Sequence, residues 1–336
     1  MSKILVTGGC GYIGSHAIVD LVQHGYEVVS ADSLIRSSIK QLDGVTEILG
    51  CPIKNYLVDL CDKEATRRIF EAEKDITGVI HFAALKSVGE SVFEPTLYYT
   101  NNLTSLVNVL ECCAEFGVKQ FIFSSSCSVY GNTTELPVTE NTPLQKTESP
   151  YAHTKQIGEG IIEHFAKRYT DIRFILLRYF NPAGAHPSGL IGESPLVEAT
   201  NLVPVVIETA LGKRPQLSVF GTDYATRDGS CIRDYIHIMD LAAAHTKSLD
   251  YLIVEKNETN CEVFNVGIGQ GVTVLEAINA FEKISNLKLN VFKTDRRLGD
   301  IEAIYADYSL AKKHLGWTPQ YSIEDIMQTA WKRANR

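Results

Sequence analysis

Tyr151 and Lys155 stand four residues apart in Tyr151-Ala152-His153-Thr154-Lys155, at the head of a stretch patterned as a helix over about 152–169. Side chains at that spacing share a helical face, so a phenol and an ammonium can address one point. A free tyrosine titrates near pH ~10 and is a poor base at neutrality. A neighbouring cation stabilises the phenolate and makes it able to take a proton from a hydroxyl. Upstream, Phe123-Ser124-Ser125-Ser126-Cys127-Ser128-Val129-Tyr130-Gly131 follows an apolar run. Ser126 is the candidate for a hydroxyl that shares the substrate proton with Tyr151, while Ser124 and Ser125 read as turn residues. The chemistry implied is proton abstraction from an alcohol.

A second constellation supplies a redox partner for that alcohol. Thr7-Gly8-Gly9-Cys10-Gly11-Tyr12-Ile13-Gly14 lies between a β-branched run and a helical pattern. Gly9, Gly11 and Gly14 fit GxGxxG, whereas Gly8, Gly11 and Gly14 fit GxxGxxG. Either pattern lets backbone approach a pyrophosphate at a helix N-terminus. Asp32 ends the next strand pattern, where a carboxylate accepts bonds from the adenosine ribose and repels a 2′-phosphate. The expected cofactor is therefore NAD, not NADP. Arg36 nearby reads as a surface arginine, and Asp59 either reaches the adenine edge or serves its turn.

The elements that must position these groups alternate along the first half. Strand patterns cover Lys3–Thr7, Glu27–Ala31, Asn55–Val58, Gly78–Phe82, Gln120–Ser124 and Arg173–Leu177, with helices over Tyr12–His24 and at about 63–73, 98–116 and 152–169. Such alternation predicts an α/β fold with a doubly wound parallel Rossmann sheet. After Phe180 the rhythm breaks, with one helical stretch near 201–211, then a helix at about 239–252 and a strand at Glu262–Val266 that return to the sheet. The expectation is an NAD-binding domain of 1–180 plus about 237–266. A second, smaller substrate-binding α/β domain takes about 181–236 plus 267–336.

Composition narrows the partners. A net charge of −8 without a basic tract argues against nucleic acid and anionic membranes. Eight cysteines contain no CxxC pair and no His cluster at zinc spacing, so the expectation is reduced, mostly buried thiols and no metal. No secretory h-region and no long apolar stretch is present, which predicts a cytoplasmic protein.

Together, the glycine loop, Asp32, serine turn and YxxxK resemble the extended short-chain dehydrogenase/reductase family. Within it the chain is similar to the UDP-galactose 4-epimerases. The likeness is carried by Thr7–Ser15, His81–Ser91, Phe121–Gly131, Leu177–Gly189 and Arg233–His237. It implies interconversion of UDP-galactose and UDP-glucose by transient NAD-dependent oxidation at the hexose C4. Tyr151 would be the general base, assisted by Lys155 and Ser126. The NAD site would be formed by Gly8, Gly11, Tyr12, Ile13, Gly14, Asp32 and Ser33, then Asp59, Leu60, Phe82, Ala83, Lys86, Asn101 and Ser124, with Tyr151 and Lys155, and Tyr179 would close it. On the UDP-hexose side the resemblance implies Lys86, Ser126, Tyr151, Phe180 and Tyr235. Asn181, Asn201 and Leu202 would meet the diphosphate and its linker, and Phe220 the uracil. Arg233 and Arg297 would grip phosphates and Asp300 the ribose.

Three positions depart from that pattern: Ser33 where Asn is usual, Ala84 where Gly is usual, and Ile304 where Tyr or a small residue is usual. Ile304 is expected to line the hexose pocket and to disfavour N-acetylated sugars. One alternative is a nucleotide-sugar 4,6-dehydratase, which places Asp-Glu after the serine where this chain has Cys127-Ser128. Another is a non-catalytic NAD-binding regulator, which has no need of Tyr151, Lys155 and Ser126 together. Apolar residues on more than one face of the helices near 98–116 and 152–169 predict a homodimer through a four-helix interface.

Overall fold

The computed structural model describes residues 2–194, 198–297 and 300–336. Short apolar runs give β1 (Lys3–Thr7), β2 (Glu27–Asp32), β3 (Lys54–Leu57), β4 (Ile76–His81), β5 (Gln120–Ser124) and β6 (Arg173–Tyr179). Between them lie α1 (Tyr12–Gln23), α2 (Lys40–Leu49), α3 (Lys63–Ala72), α4 (Val88–Phe93), α5 (Pro95–Phe116) and α6 (Pro150–Arg168). The chain then leaves the sheet. Three two-stranded pairs follow: β7 (Asn181–Ala183) with β10 (Tyr235–His237), β8 (Leu217–Phe220) with β13 (Val291–Thr294), and β9 (Ile232–Arg233) with β12 (Val272–Thr273). Among them run α7 (Leu202–Ala210), α8 (Ile238–Ile253), α9 (Val274–Ser285) and α10 (Ile323–Ala334). β11 (Cys261–Val266) returns to β6 and completes a seven-stranded parallel sheet of order β11-β6-β5-β4-β1-β2-β3.

Apart from the edge strand β3, which is partly exposed, the sheet strands are covered on both faces, which is why they read as continuous apolar runs. One layer, with α1 and α8, buries Ile4, Val6, Ile18, Ile80 and Ile122; the other, with α5 and α6, buries Leu5, Val79, Phe121 and Phe123. A separate cluster of Val206, Leu217, Phe281, Ile326 and Met327 packs α7, α9 and α10 beyond the sheet. The chain reverses strand order between β1 and β4, and at such a switch point open α/β sheets bind ligands.

In the first half of the chain two helices escape the sequence reading. α2 runs unbroken through Gly44, where a Cβ would stand 2.8 Å from the Leu190 carbonyl oxygen, so packing and not helix propensity sets the residue. α4 is a six-residue helix capped by Ser87. All eight cysteines are unpaired, with Cys10, Cys112, Cys113 and Cys231 buried and only Cys51 exposed. Among the described residues no helix is long and apolar enough to cross a membrane.

Candidate active site

The carboxyl ends of the sheet strands and the β7–β10 region enclose a cleft of about 1650 Å³. A typical small-molecule site occupies about 300–1,000 Å³, so this one has room for two ligands. The expected cofactor, substrate and catalytic residues line it, among them Gly8, Asp32, Tyr151, Arg233 and Asp300, with the exception of Ile304.

At the β1 end the loop needs all four of its glycines, so the two overlapping patterns are satisfied together. Gly8 has φ of 71°. A Cβ on Gly14 would lie 2.3 Å from the Gly8 oxygen, so its absence lets α1 start against the loop. Gly9 and Gly11 are crowded by the Ser30 hydroxyl and the Gly8 oxygen respectively. Gly11 caps α1 without any side-chain bond, and the first turn holds no acidic residue. That leaves N–H donors and the positive helix end toward an anion. Asp32 is fixed by bonds from the Cys10 N–H (3.0 Å), the Leu34 N–H (2.9 Å) and the Ser37 hydroxyl (2.7 Å). Arg36 is paired with Glu90 of α4, consistent with a surface role. Asp59 accepts the Cys61 N–H at 2.9 Å, its turn role, while also lining the cleft.

In the middle stand Ser126, Tyr151 and Lys155. Ser126 caps a 3₁₀ turn over Cys127–Tyr130 and accepts from Ser128. Tyr151 sits in the first turn of α6, which is capped by Ser149. Burial raises the Tyr151 pKa above the ordinary tyrosine value, Tyr179 adds to the rise, and a hydrogen bond with Ser126 opposes it. In the chain without a bound cation, burial thus opposes ionisation of the phenol. Lys155 donates to the Ser124 carbonyl at 2.6 Å and lies over the Phe123 ring at 4.8 Å. Burial lowers its own pKa to about 8, partly offset by Glu159. The Tyr179 hydroxyl bonds to that of Ser124, which gives Ser124 a place in the site beyond its turn.

At the far end, Arg233 donates to Asp300 at 3.1 Å and Arg297 stacks over Phe220 at 4.2 Å. The Asn181 Oδ1 is buried and finds no hydrogen-bond partner among the described residues. Asn201 caps α7 and its amide meets Glu193 at 3.3 Å, while Lys86 meets the same carboxylate at 3.2 Å. Glu193 was not anticipated, since no local pattern marks it. Ile304 corrects an expectation. It is 4% exposed and packs with Val129, Tyr130, Val138, Phe180 and Ala306, one layer behind the wall and not on it. Phe180 is the cleft residue of that group.

A family model described as GDP-mannose 4,6 dehydratase matches residues 5–330. A UDP-glucose 4-epimerase of Bacillus subtilis is 47% identical, covering 98% of this chain and 96% of its own. Two solved structures superpose closely. The UDP-glucose 4-epimerase of Bifidobacterium longum in complex with NAD+ and UDP has a TM-score of 0.94 at 42% identity, covering 99% of this chain and 98% of that one. The UDP-glucose-4-epimerase of Stenotrophomonas maltophila with bound NAD and formylated UDP-arabinopyranose has a TM-score of 0.96 at 39% identity, covering 100% and 98%. The chain belongs to the UDP-glucose 4-epimerase family of the extended short-chain dehydrogenases/reductases.

Proposed function

We propose that the protein interconverts UDP-galactose and UDP-glucose through oxidation and re-reduction at the hexose C4. The observation that carries this reading is the single cleft lined together by Ser126, Tyr151 and Lys155, by the glycine cradle, and by Arg233, Arg297 and Phe220. The cradle suits NAD, because Gly8 and Gly14 let the loop pack tightly against the residues after β4 and the start of α1, whose uncapped N–H groups remain for a pyrophosphate. When bound, NAD supplies the hydride acceptor, returns the hydride, and brings the positive ring that opposes the burial of Tyr151.

The chain does the rest. Tyr151 takes the proton from the sugar O4, and Ser126 shares it by a hydrogen bond. Lys155, anchored on Ser124, contributes a buried positive charge one helical turn from the phenol. Guanidinium forks on Arg233 and Arg297 hold the diphosphate, Phe220 stacks on the base and Asp300 takes the ribose. With the nucleotide anchored and few groups gripping the hexose, the 4-keto sugar turns over and is reduced on its other face. Asn181 and Asn201 are proposed on the linker to the nucleoside, the first because its buried oxygen lacks a partner among the described residues.

The dehydratase reading is disfavoured by Cys127 and Ser128. Burial pushes the Cys127 thiol up to about 12, and neither position carries the carboxylate of the acid/base pair that removal of water uses. The proposal extends to a two-domain division near 180 and 237–266, a cytoplasmic site of action and a homodimer. The decisive experiment supplies UDP-galactose without added oxidant or reductant and looks for UDP-glucose. A 4-keto-6-deoxy product, or no turnover, would overturn the reading.

A further inference from the structure

Beneath the reacting residues lies a buried ion pair that no step above uses. Tyr151, Lys155 and Glu159 recur every four residues along one face of α6. Glu159 is 2% exposed and Arg178, in β6, is 5% exposed. Arg178 donates through Nε and Nη2 to the two carboxylate oxygens, at 3.0 and 2.7 Å, in a bidentate fork. Ser125 donates to the same carboxylate. The Nη1 of Arg178 reaches the Tyr130 hydroxyl at 3.2 Å, at the end of the turn that Ser126 caps. One carboxylate thus ties the helix bearing Tyr151 and Lys155 to the strand end bearing Ser126.

Stability alone does not account for such a pair, since apolar residues of similar volume commonly replace buried ion pairs at no loss. The surroundings of Lys155 suggest what the charge does. Facing it are the Ser124 carbonyl and Phe123 ring of β5, and His81 of β4, which burial keeps neutral with a pKa of about 3. The phenols of Tyr151 and Tyr179 are raised by burial and neutral as well. Glu159 is the carboxylate that opposes the desolvation of the lysine.

We propose that Glu159, clamped by Arg178, is a positioning residue of the epimerase reaction. It keeps Lys155 charged and holds the Ser126 turn in register with Tyr151, without touching substrate or cofactor. This rests on the function proposed above.

The test compares Glu159→Gln, Glu159→Asp and the doubly neutral Glu159→Leu/Arg178→Met, which removes both charges together, by kcat and KM against pH. In the neutral variants kcat should fall about tenfold or more with KM for UDP-galactose changed less than about threefold. The alkaline limb of kcat should move down by about one pH unit in Glu159→Gln, because Lys155 loses its proton earlier, and by less in the double variant, which also removes the guanidinium. Glu159→Asp, which retains the charge, should keep the limb in place. A folded Glu159→Gln variant with an unmoved limb overturns the proposal. If both neutral variants fail to fold, the pair is purely structural and the proposal falls too. A wild type that does not interconvert the sugars would refute the function instead. In that event, NMR titration of ¹³Cε-labelled Lys155 in cofactor-free protein reads the same downward shift.

Discussion

The Nζ of Lys155 donates to the main-chain oxygen of Ser124 at 2.6 Å, at the end of β5 and not on the phenol one turn before it. An ammonium held there is desolvated, and burial lowers its pKa from 10.5 to about 8. Between those values the unfolded chain binds more protons, so stability rises with pH across the interval, and below about 8 the full penalty is present. Replacing Lys155 with Met should remove that slope. Urea unfolding at several pH values should show wild type gaining up to about 3 kcal/mol on the Met variant over this window. Parallel curves would mean that the lysine is hydrated.

Tyr151→Phe should lower turnover about a hundredfold or more, the low end for losing a general base. KM should change far less, because Arg233, Arg297 and Phe220 are untouched at the other end of the cleft. Ser126→Ala should be milder, since it removes one hydrogen bond to the phenol and leaves the base. Steady-state kinetics of both variants decide this. A Phe variant near the wild-type rate would place the base elsewhere.

What the sequence disclosed depended on range. The glycine loop and YxxxK are local patterns whose geometry follows from a strand–turn–helix and from one helical turn, so residues 8–14 and 151–155 were legible. The pairing of Glu159 with Arg178 joins a helix to a strand 19 residues on, and the Lys86–Glu193 contact spans 107 residues. Nothing in the order of residues announces such contacts. α2 was hidden because Gly44 answers to the Leu190–Ile191 loop. Ile304 was misplaced because counting from Asp300 gives distance along the chain, not which side of a wall is faced.

The purified protein should carry NAD(H). The closed glycine cradle and the ordered Asp32 carboxylate motivate this, as does a cycle with no net redox change. Acid or heat denaturation followed by chromatography of the released nucleotide identifies it. Release of NADP, or of no dinucleotide after incubation with NAD, would remove the cofactor from the mechanism.

α5 and α6 should pair with their counterparts in a second copy. Leu106, Leu110 and Ile162 are buried in the core, whereas Leu103, Ile161 and Phe165 remain half-buried on other faces. Light scattering should give a dimer at micromolar concentration. Charged replacements at Leu103 and Phe165 together should shift it toward monomer, and a wild-type monomer would refute the interface.

Ile304 tests how the wall of the hexose pocket is built. It packs behind Phe180 with Val129, Tyr130 and Val138, and its N–H donates to Ile232, next to Arg233. Shortening it cannot enlarge the cleft directly, but it opens space into which Phe180 can retreat. Ile304→Ala should therefore cost about 2–4 kcal/mol of stability from the cavity left behind. It should also raise the kcat/KM for UDP-N-acetylgalactosamine relative to UDP-galactose by about tenfold, the low end for a shape effect. Ile304→Ser should be less stable still, because its hydroxyl is buried among apolar side chains. Both sugars must be assayed on each variant under identical conditions alongside urea unfolding. A loss of stability with an unchanged substrate ratio would show that Phe180 does not follow the cavity, and that the residue supports the fold without shaping specificity.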